Sequence, residues 1–88
     1  MSDFYCQRWE NLGSQRYYWC HLGKDMLNDW VLTVAFGGIN SKLGAVKLHY
    51  CVTLDNGLQK IKDIAKQRHR SGYHLMLHNE QLGINVRQ

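Results

Sequence analysis

The fold of this chain is decided by residues 30–44, Trp30-Val-Leu-Thr-Val-Ala-Phe-Gly-Gly-Ile-Asn-Ser-Lys-Leu-Gly44. The residues from Trp30 to Phe36 predict a β-strand that is apolar on both faces, and such a strand is usually central in its sheet and covered twice. Gly37-Gly38 and Gly44 then bracket a short polar connection. Glycines at these places favour a hairpin whose backbone visits positive φ.

Three more strands are predicted around this segment. Phe4 to Glu10 and Arg16 to Leu22 are rich in aromatic residues, and a glycine-containing turn separates them. Ala45 to Val52 alternates apolar with polar side chains, which predicts a strand near a sheet edge with its apolar face buried. The apolar positions are Val46, Leu48, Tyr50 and Val52, and the residues between them are Lys47, His49 and Cys51.

One amphipathic helix is predicted after Thr53, whose side chain suits the N-cap position. Apolar residues recur every three or four positions as far as Arg68, which is the spacing of a helix with one buried face. Gly57 lies inside this helix and is expected to weaken it by about 1 kcal/mol relative to alanine. Gly72 suits the position just past the helix end.

The 88 residues are expected to form a single domain, with its core over about residues 5–77. Residues 73–77 are expected to form a short strand or to pack against the helix, and residues 78–88 to form a loose tail. The predicted fold class is α+β, a small antiparallel sheet of about four to five strands with one α-helix packed across one face.

Composition narrows the function only slightly. The formal net charge of +4 suits a polyanionic partner, although many small domains carry as much. Three cysteines, Cys6, Cys20 and Cys51, lie far apart without a Cys-x-x-Cys pair, which indicates reduced thiols at sheet positions in an intracellular protein. The first residues do not resemble a signal peptide, and no apolar run is long enough to span a membrane. A cytoplasmic protein is expected.

Motifs for catalysis or for metal binding are missing from the sequence. His74 and His78 are four residues apart, but no second ligand pair with a recognised zinc spacing accompanies them. The chain also lacks the nucleophile, phosphate-loop and metalloprotease motifs. We therefore expect no enzyme activity, no metal and no cofactor.

The predicted helix offers a first candidate binding surface. Lys62, Lys66 and Arg70 recur every four residues and form one row beside the apolar stripe. Such a row can neutralise phosphates and would make binding depend steeply on salt. The alternative is an ordinary solvated face whose last cations favour the helix C-terminus.

The predicted hairpin offers a second candidate surface. Phe36 ends a strand beside glycines that allow another backbone to approach closely, and Lys42 and Lys47 lie on the connection or just past it. An aromatic ring between basic residues can stack on a sugar or a base while the lysines hold the phosphate backbone. The alternative is that Phe36 is a core residue, because it shares a strand face with Trp30 and Val34.

The order of several segments resembles a known family. These segments are Arg8-Trp9-Glu10-Asn11-Leu12, Arg16-Tyr17-Tyr18, Asp25 to Leu32, Ile39 to Gly44 and Arg70-Ser71-Gly72-Tyr73, with Thr53 before the helix. Over about residues 5–77 the chain resembles a WGR domain, and in particular the short stand-alone bacterial members. That family is named for a Trp-Gly-Arg triplet that ends a strand and opens a hairpin. This chain has Phe36-Gly37-Gly38 at that position.

The resemblance implies a compact antiparallel sheet with one helix across it, and contacts with nucleic acid. In the DNA-dependent poly(ADP-ribose) polymerases the domain contacts DNA ends and neighbouring domains, with the motif tryptophan stacked on the nucleic acid. Phe36 would take the stacking role with a smaller ring, whereas Gly38 cannot replace a guanidinium.

Two functions are carried forward from the sequence. The first is a small nucleic-acid-binding module of weak sequence specificity that binds DNA or another nucleic acid. Its candidate site residues are Phe36, Lys42, Lys47, Lys62 and Lys66. The second is a protein–protein interaction module, such as a homodimer, that has lost nucleic-acid binding. It rests on the aromatic strands Phe4 to Trp9 and Tyr17 to Trp19, and on a single helix that can cover only one face of a sheet.

Overall fold

A computed structural model describes residues 4–81 of the chain. Five strands form one antiparallel sheet in the order β4-β3-β2-β1-β5, and one helix packs across it. The elements are β1 (Phe4–Asn11), β2 (Arg16–Lys24), β3 (Trp30–Gly38), β4 (Gly44–Cys51), α1 (Leu54–Arg70) and β5 (His74–Gln81). This architecture confirms the predicted α+β fold class.

The core lies between α1 and one face of the sheet, which we call the helix-side face. Its fully or nearly fully buried side chains come from three strands and the helix, and they are Cys20, Leu22, Leu32, Val34, Cys51 and Ile61. Half-buried aromatic and aliphatic residues surround this cluster. The helix-side face follows from the alternation of strand side chains, since directly opposed residues on neighbouring strands share a face.

The helix approaches the sheet closely at Gly57. This glycine is buried, and a Cβ built on it would lie 2.6 and 2.8 Å from the two terminal methyl carbons of Leu22. Leu22 is itself fully buried, so it has little room to move away. Gly57, which has a low helix propensity, is therefore the residue that lets α1 pack closely against β2.

The ends of the helix form as predicted. Thr53 is the N-cap, and its Oγ1 accepts a hydrogen bond from the Asn56 backbone N–H at 3.1 Å. At the other end Gly72 has φ +86°, the left-handed conformation that favours glycine after a helix. The Asn11 side chain donates a hydrogen bond to the Ser71 carbonyl at 3.2 Å, which ties this end of α1 to β1.

The opposite side of the sheet, which we call the open face, has no second layer within residues 4–81. β3 is an interior strand, between β4 and β2, but within residues 4–81 only α1 covers it, on one face, so the prediction that β3 is covered twice is wrong. β4 lies at the edge of the sheet, as predicted, but the prediction that its apolar face is buried is wrong. Its apolar residues point to the open face and remain exposed, at 67% for Val46, 57% for Leu48 and 67% for Tyr50.

The hairpin between β3 and β4 also differs from its prediction. Gly72 is the one glycine in the described range whose φ is positive, so Gly37, Gly38 and Gly44 do not serve that purpose. Two of these glycines are instead required because the backbone approaches them closely across the hairpin. A Cβ on Gly37 would lie 2.9 Å from the Leu43 carbonyl oxygen, and one on Gly44 would lie 3.0 Å from that of Phe36.

The last strand is longer than predicted. β5 continues to Gln81 and pairs with β1, so residues 78–81 belong to the sheet rather than to a loose tail. Residues 82–88 of that predicted tail lie outside the described residues. No helix in the described part of the chain is long and apolar enough to cross a membrane.

Candidate nucleic-acid interface

Three connections meet at one end of the sheet, which we call the hairpin end. The Ile39 N–H donates a hydrogen bond to the Gln15 carbonyl at 2.8 Å, which joins the β3–β4 connection to the β1–β2 turn. The bond from Asn11 to the Ser71 carbonyl brings the end of α1 to the same place. Segments that are far apart in sequence therefore form one surface.

Aromatic rings and cations alternate along the helix-side face toward this end. The Phe36 and Tyr18 rings are stacked, with centroids 5.9 Å apart and planes at 10°. The Lys47 Nζ lies 5.7 Å from the Phe36 centroid, and the Arg68 guanidinium carbon lies 4.4 Å from that of Tyr18 and 4.9 Å from that of Tyr73. We call Tyr18, Phe36, Lys47, Arg68 and Tyr73 the aromatic–basic cluster.

Arg68 holds an unusual position in this cluster. Its guanidinium lies close to two tyrosine rings, and its Nε is buried with no hydrogen-bond partner among the described residues. Burial raises the pKa of the Tyr18 phenol, while the neighbouring Arg68 charge acts in the opposite direction. Packing against the two rings, rather than a carboxylate among the described residues, therefore holds the Arg68 guanidinium in the cluster.

A shallow recess of about 410 Å³ adjoins the cluster at the hairpin. Arg16 and the half-buried Phe36 line it, and the short side chains around the hairpin keep it open. The remaining lining residues are Gly37, Gly38, Ser41, Leu43, Gly44 and Ala45. A flat group such as a sugar or a base can therefore approach the free part of the Phe36 ring beside a guanidinium.

The five residues proposed from the sequence do not all come together. Phe36 and Lys47 are neighbours in the cluster, and Lys42 lies exposed on the connection at the hairpin end. Lys62 and Lys66 are exposed on α1, but they do not border the sheet on the side of Lys47.

The helix geometry explains why those two lysines are separate. Lys60, Asp63, Ile64 and Gln67 border a groove of about 230 Å³ between α1 and His49 of β4. That flank of the helix therefore faces β4. Since successive helix residues turn by about 100°, Lys62 lies roughly 200° around the helix from Lys60. Lys62 and Lys66 belong to the outer surface of α1, apart from Phe36.

Charges are segregated along the strand direction. The hairpin end carries the cations Arg16, Lys42, Lys66, Arg68 and Arg70, and its carboxylate, Glu10, is ion-paired with Arg8 at 2.8 Å. At the opposite end lie Asp25, Asp29, Asp55 and Glu80, together with Lys24. Within residues 4–81, none of the hairpin-end cations forms an ion pair. The modest net charge of the chain is therefore concentrated at one end.

Sequence reasoning did not name four residues of this site, which are Arg16, Tyr18, Arg68 and Tyr73. Arg16 opens β2 and Tyr18 follows two positions later, so both share the helix-side face with Phe36, a relation that depends on the β2–β3 register. Arg68 was placed in the apolar stripe of the helix by its spacing. An arginine at a stripe position is the signal that could have suggested a guanidinium packed on aromatic rings.

The cysteines lie at sheet positions, as predicted, and all three are free thiols. Burial raises the pKa of the Cys20 thiol to about 11, so that it stays protonated and behaves as a small apolar side chain. In the part of the chain that the structure describes, no three His, Cys, Asp or Glu side chains are grouped so that they could hold a metal ion.

Comparisons of this chain with protein-family models, with curated proteins and with solved structures found no match.

Proposed function

We propose that this chain is a small, non-enzymatic nucleic-acid-binding module of the WGR type, and that its hairpin end contacts the sugar–phosphate backbone. The observation that carries this proposal is the concentration of cations beside aromatic rings at that end, where they have no carboxylate partner among residues 4–81. Nucleic acids are the polyanions that offer both regularly spaced phosphates and flat bases.

The cations contribute most of the binding free energy in this proposal. Lys42, Lys47 and Arg16 are exposed and form no ion pair within the described part of the chain, so each is free of such a pair when it contacts a phosphate. Every phosphate neutralised in this way releases condensed counterions, and affinity then falls steeply as salt rises. The carboxylates at the opposite end of the sheet would orient the approaching polyanion toward the hairpin end.

Phe36 has a supporting role. One side of its ring is stacked on Tyr18 and Lys47 lies near it, so only the part that lines the recess is free for a sugar or a base. A contact of this kind recognises no base edge. Binding is therefore expected to be weakly sequence-specific.

The test is a titration of a fluorescently labelled, nicked or blunt-ended DNA duplex at about 50 mM and about 200 mM salt. We expect the wild-type chain to bind with a Kd on the order of 10 µM at the lower salt and much more weakly at the higher. Lys42→Glu and Lys47→Glu should each weaken binding roughly tenfold at low salt and flatten the salt dependence.

Lys24→Glu is the matched control. Lys24 is also an exposed strand lysine near an aromatic ring, with its Nζ 5.2 Å from the Trp30 centroid, but it lies at the acidic end of the sheet. The same charge reversal there should change affinity little. The proposal is wrong if the wild-type chain does not bind at low salt, or if all three charge reversals weaken binding equally. A single-stranded probe in parallel shows whether the duplex is needed.

A further inference from the structure

The open face of the sheet is apolar, although no other part of the described chain covers it. Val46, Leu48 and Tyr50 of β4 are all more than half exposed, and Leu77 of β5 is 48% exposed. Between these two edge strands the open face carries the half-buried residues Phe4, Cys6, Tyr17, Trp19, His21, Thr33 and Ala35, and the buried Val31. The apolar residues from β4 to β2 form one contiguous surface, with Arg8 of β1 between Trp19 and Leu77, and apolar surface of this extent marks an interaction site on most proteins.

Aromatic rings on this face are already ordered. Trp19 and His21 are stacked with centroids 5.8 Å apart, and His21 is stacked in turn on Phe4 at 6.1 Å. Ordered tryptophan and tyrosine side chains lose little conformational entropy when a partner covers them, which is why they are frequent anchors of interfaces.

The charge of this face distinguishes it from the hairpin end. Among the described strand residues that point to this face, the charged ones are Arg8 and Glu10, which form an ion pair at 2.8 Å, and the Arg8 guanidinium also lies 4.6 Å from the Tyr17 centroid. The open face is therefore neutral on a protein whose net charge is +4. A neutral apolar surface offers nothing to phosphates, but two copies of it can meet without repulsion.

The dimensions of the face also suit a second copy. Five strands about 4.8 Å apart and about 25 Å long give a face of roughly 600 Å². Pairing two such flat faces buries roughly 1,200 Å² in total, and the side chains that project from them add to this area. A total of about 1,200 Å² is the lower bound for a stable protein–protein interface. Two sheets pack in this way in β-sandwiches, about 10 Å apart.

A hollow of about 220 Å³ interrupts the face at the acidic end of the sheet. It forms because Gly23 has no side chain and because Val31 and Thr33 are short, while Leu48 and Tyr50 project at its border. His21, Lys24 and Asp25 complete its lining, with one charged residue of each sign. The large rings of Trp19 and Tyr17 lie beside it on β2. A face with both a hollow and a ridge of rings can be self-complementary under a two-fold axis.

From these observations we propose that the chain forms a two-fold symmetric homodimer by packing its open face against that of a second copy. The two basic hairpin ends stay exposed in this arrangement, because the aromatic–basic cluster lies on the helix-side face of each sheet. The homodimer does not depend on the nucleic-acid proposal, and either can fail without the other.

Sedimentation velocity over a wide range of protein concentration tests the homodimer. The wild-type chain should sediment at twice its 10.3 kDa mass, with little change between low and moderate salt because the interface is apolar. Leu48→Arg should weaken the dimer roughly 100-fold or more, because the two-fold interface would bury the new arginine of both copies. Leu27→Arg is the matched control, because Leu27 is 81% exposed on the β2–β3 turn, off the open face.

Circular dichroism should show that both variants remain folded, because each position is exposed in the monomer. A wild-type chain that stays monomeric at every concentration overturns the proposal. So does a dimer that Leu48→Arg leaves intact, because that dimer would use another surface such as a sheet edge. If the wild-type chain is monomeric and Leu48→Arg weakens binding to a single-stranded oligonucleotide, the occupant of the open face is nucleic acid instead.

Discussion

Helix propensity and the packing around Gly57 predict opposite effects on stability when this residue is replaced by alanine. Helix propensity alone predicts that Gly57→Ala stabilises the protein by about 1 kcal/mol, because glycine is a poor helix former. The structure predicts the opposite sign. The new methyl group would lie 2.6 Å from one terminal carbon of Leu22 and 2.8 Å from the other, well inside van der Waals contact.

The magnitude follows from the surroundings of Leu22. This side chain is fully buried between α1 and the sheet, so relief of the clash requires a shift of the helix or a strained rotamer. Overpacking of this kind costs about 1–3 kcal/mol. After the propensity gain is subtracted, we expect Gly57→Ala to lower the free energy of unfolding by about 1 kcal/mol, which for a chain of this size lowers Tm by roughly 5 °C.

Urea denaturation followed by tryptophan fluorescence measures this change. Lys62→Ala and Lys62→Gly calibrate the propensity difference at an exposed position of the same helix. Leu22→Val shortens the clashing side chain, so Gly57→Ala should become stabilising in that background, and the difference gives the coupling energy of the pair. A stabilisation of about 1 kcal/mol by Gly57→Ala in the wild-type background would refute the steric argument.

Three further predictions concern single positions. Thr53→Ala should lower the free energy of unfolding by about 1 kcal/mol, because the Asn56 N–H loses its acceptor, whereas Thr53→Ser should restore most of it in the same urea titration. Gly72→Ala should cost about 1–2 kcal/mol because φ is +86° there. The pKa of Cys20 is about 11 in the folded protein against an ordinary value of 9.0, so the stability it provides is present below pH 9 and lost as the pH rises toward 11. Thermal melts in reductant should therefore show a falling Tm over that range, and Cys20→Ala should reduce the slope.

Local pattern was sufficient to place the first four strands and the helix, but not the full length of β5. Alternation within strands, the Thr53 cap and Gly72 after the helix act through neighbours in sequence, and each appears in the structure where it was predicted. The predicted burial of the apolar face of β4 was wrong because alternation shows that a strand has two different faces, but not which face meets the helix. On this strand the apolar side chains lie on the open face and Lys47 and His49 lie on the helix side.

The candidate site was harder to predict because it depends on register. Phe36 and Lys47 could be associated through the hairpin between them, and they are neighbours in the structure. Tyr18 joins Phe36 only because it is opposite that residue in the β2–β3 ladder, and Arg68 joins Tyr18 only through the docking of α1. Contacts of this kind join residues that are far apart in sequence, so they have no characteristic spacing that a sequence pattern could reveal.

The distribution of charge connects the two proposals. A domain with one helix can bury one face of its sheet, and within residues 4–81 an apolar face stays uncovered while most cations lie on the side of the helix. Pairing of the open faces would join two basic hairpin ends in one particle, and a long duplex that reached both would bind more tightly than a short one. The two effects respond differently to salt, because counterion release weakens with salt whereas apolar packing does not. A monomeric Leu48→Arg variant that still binds a short duplex as the wild-type chain does, but loses its preference for a long one, would therefore demonstrate that the two surfaces act together.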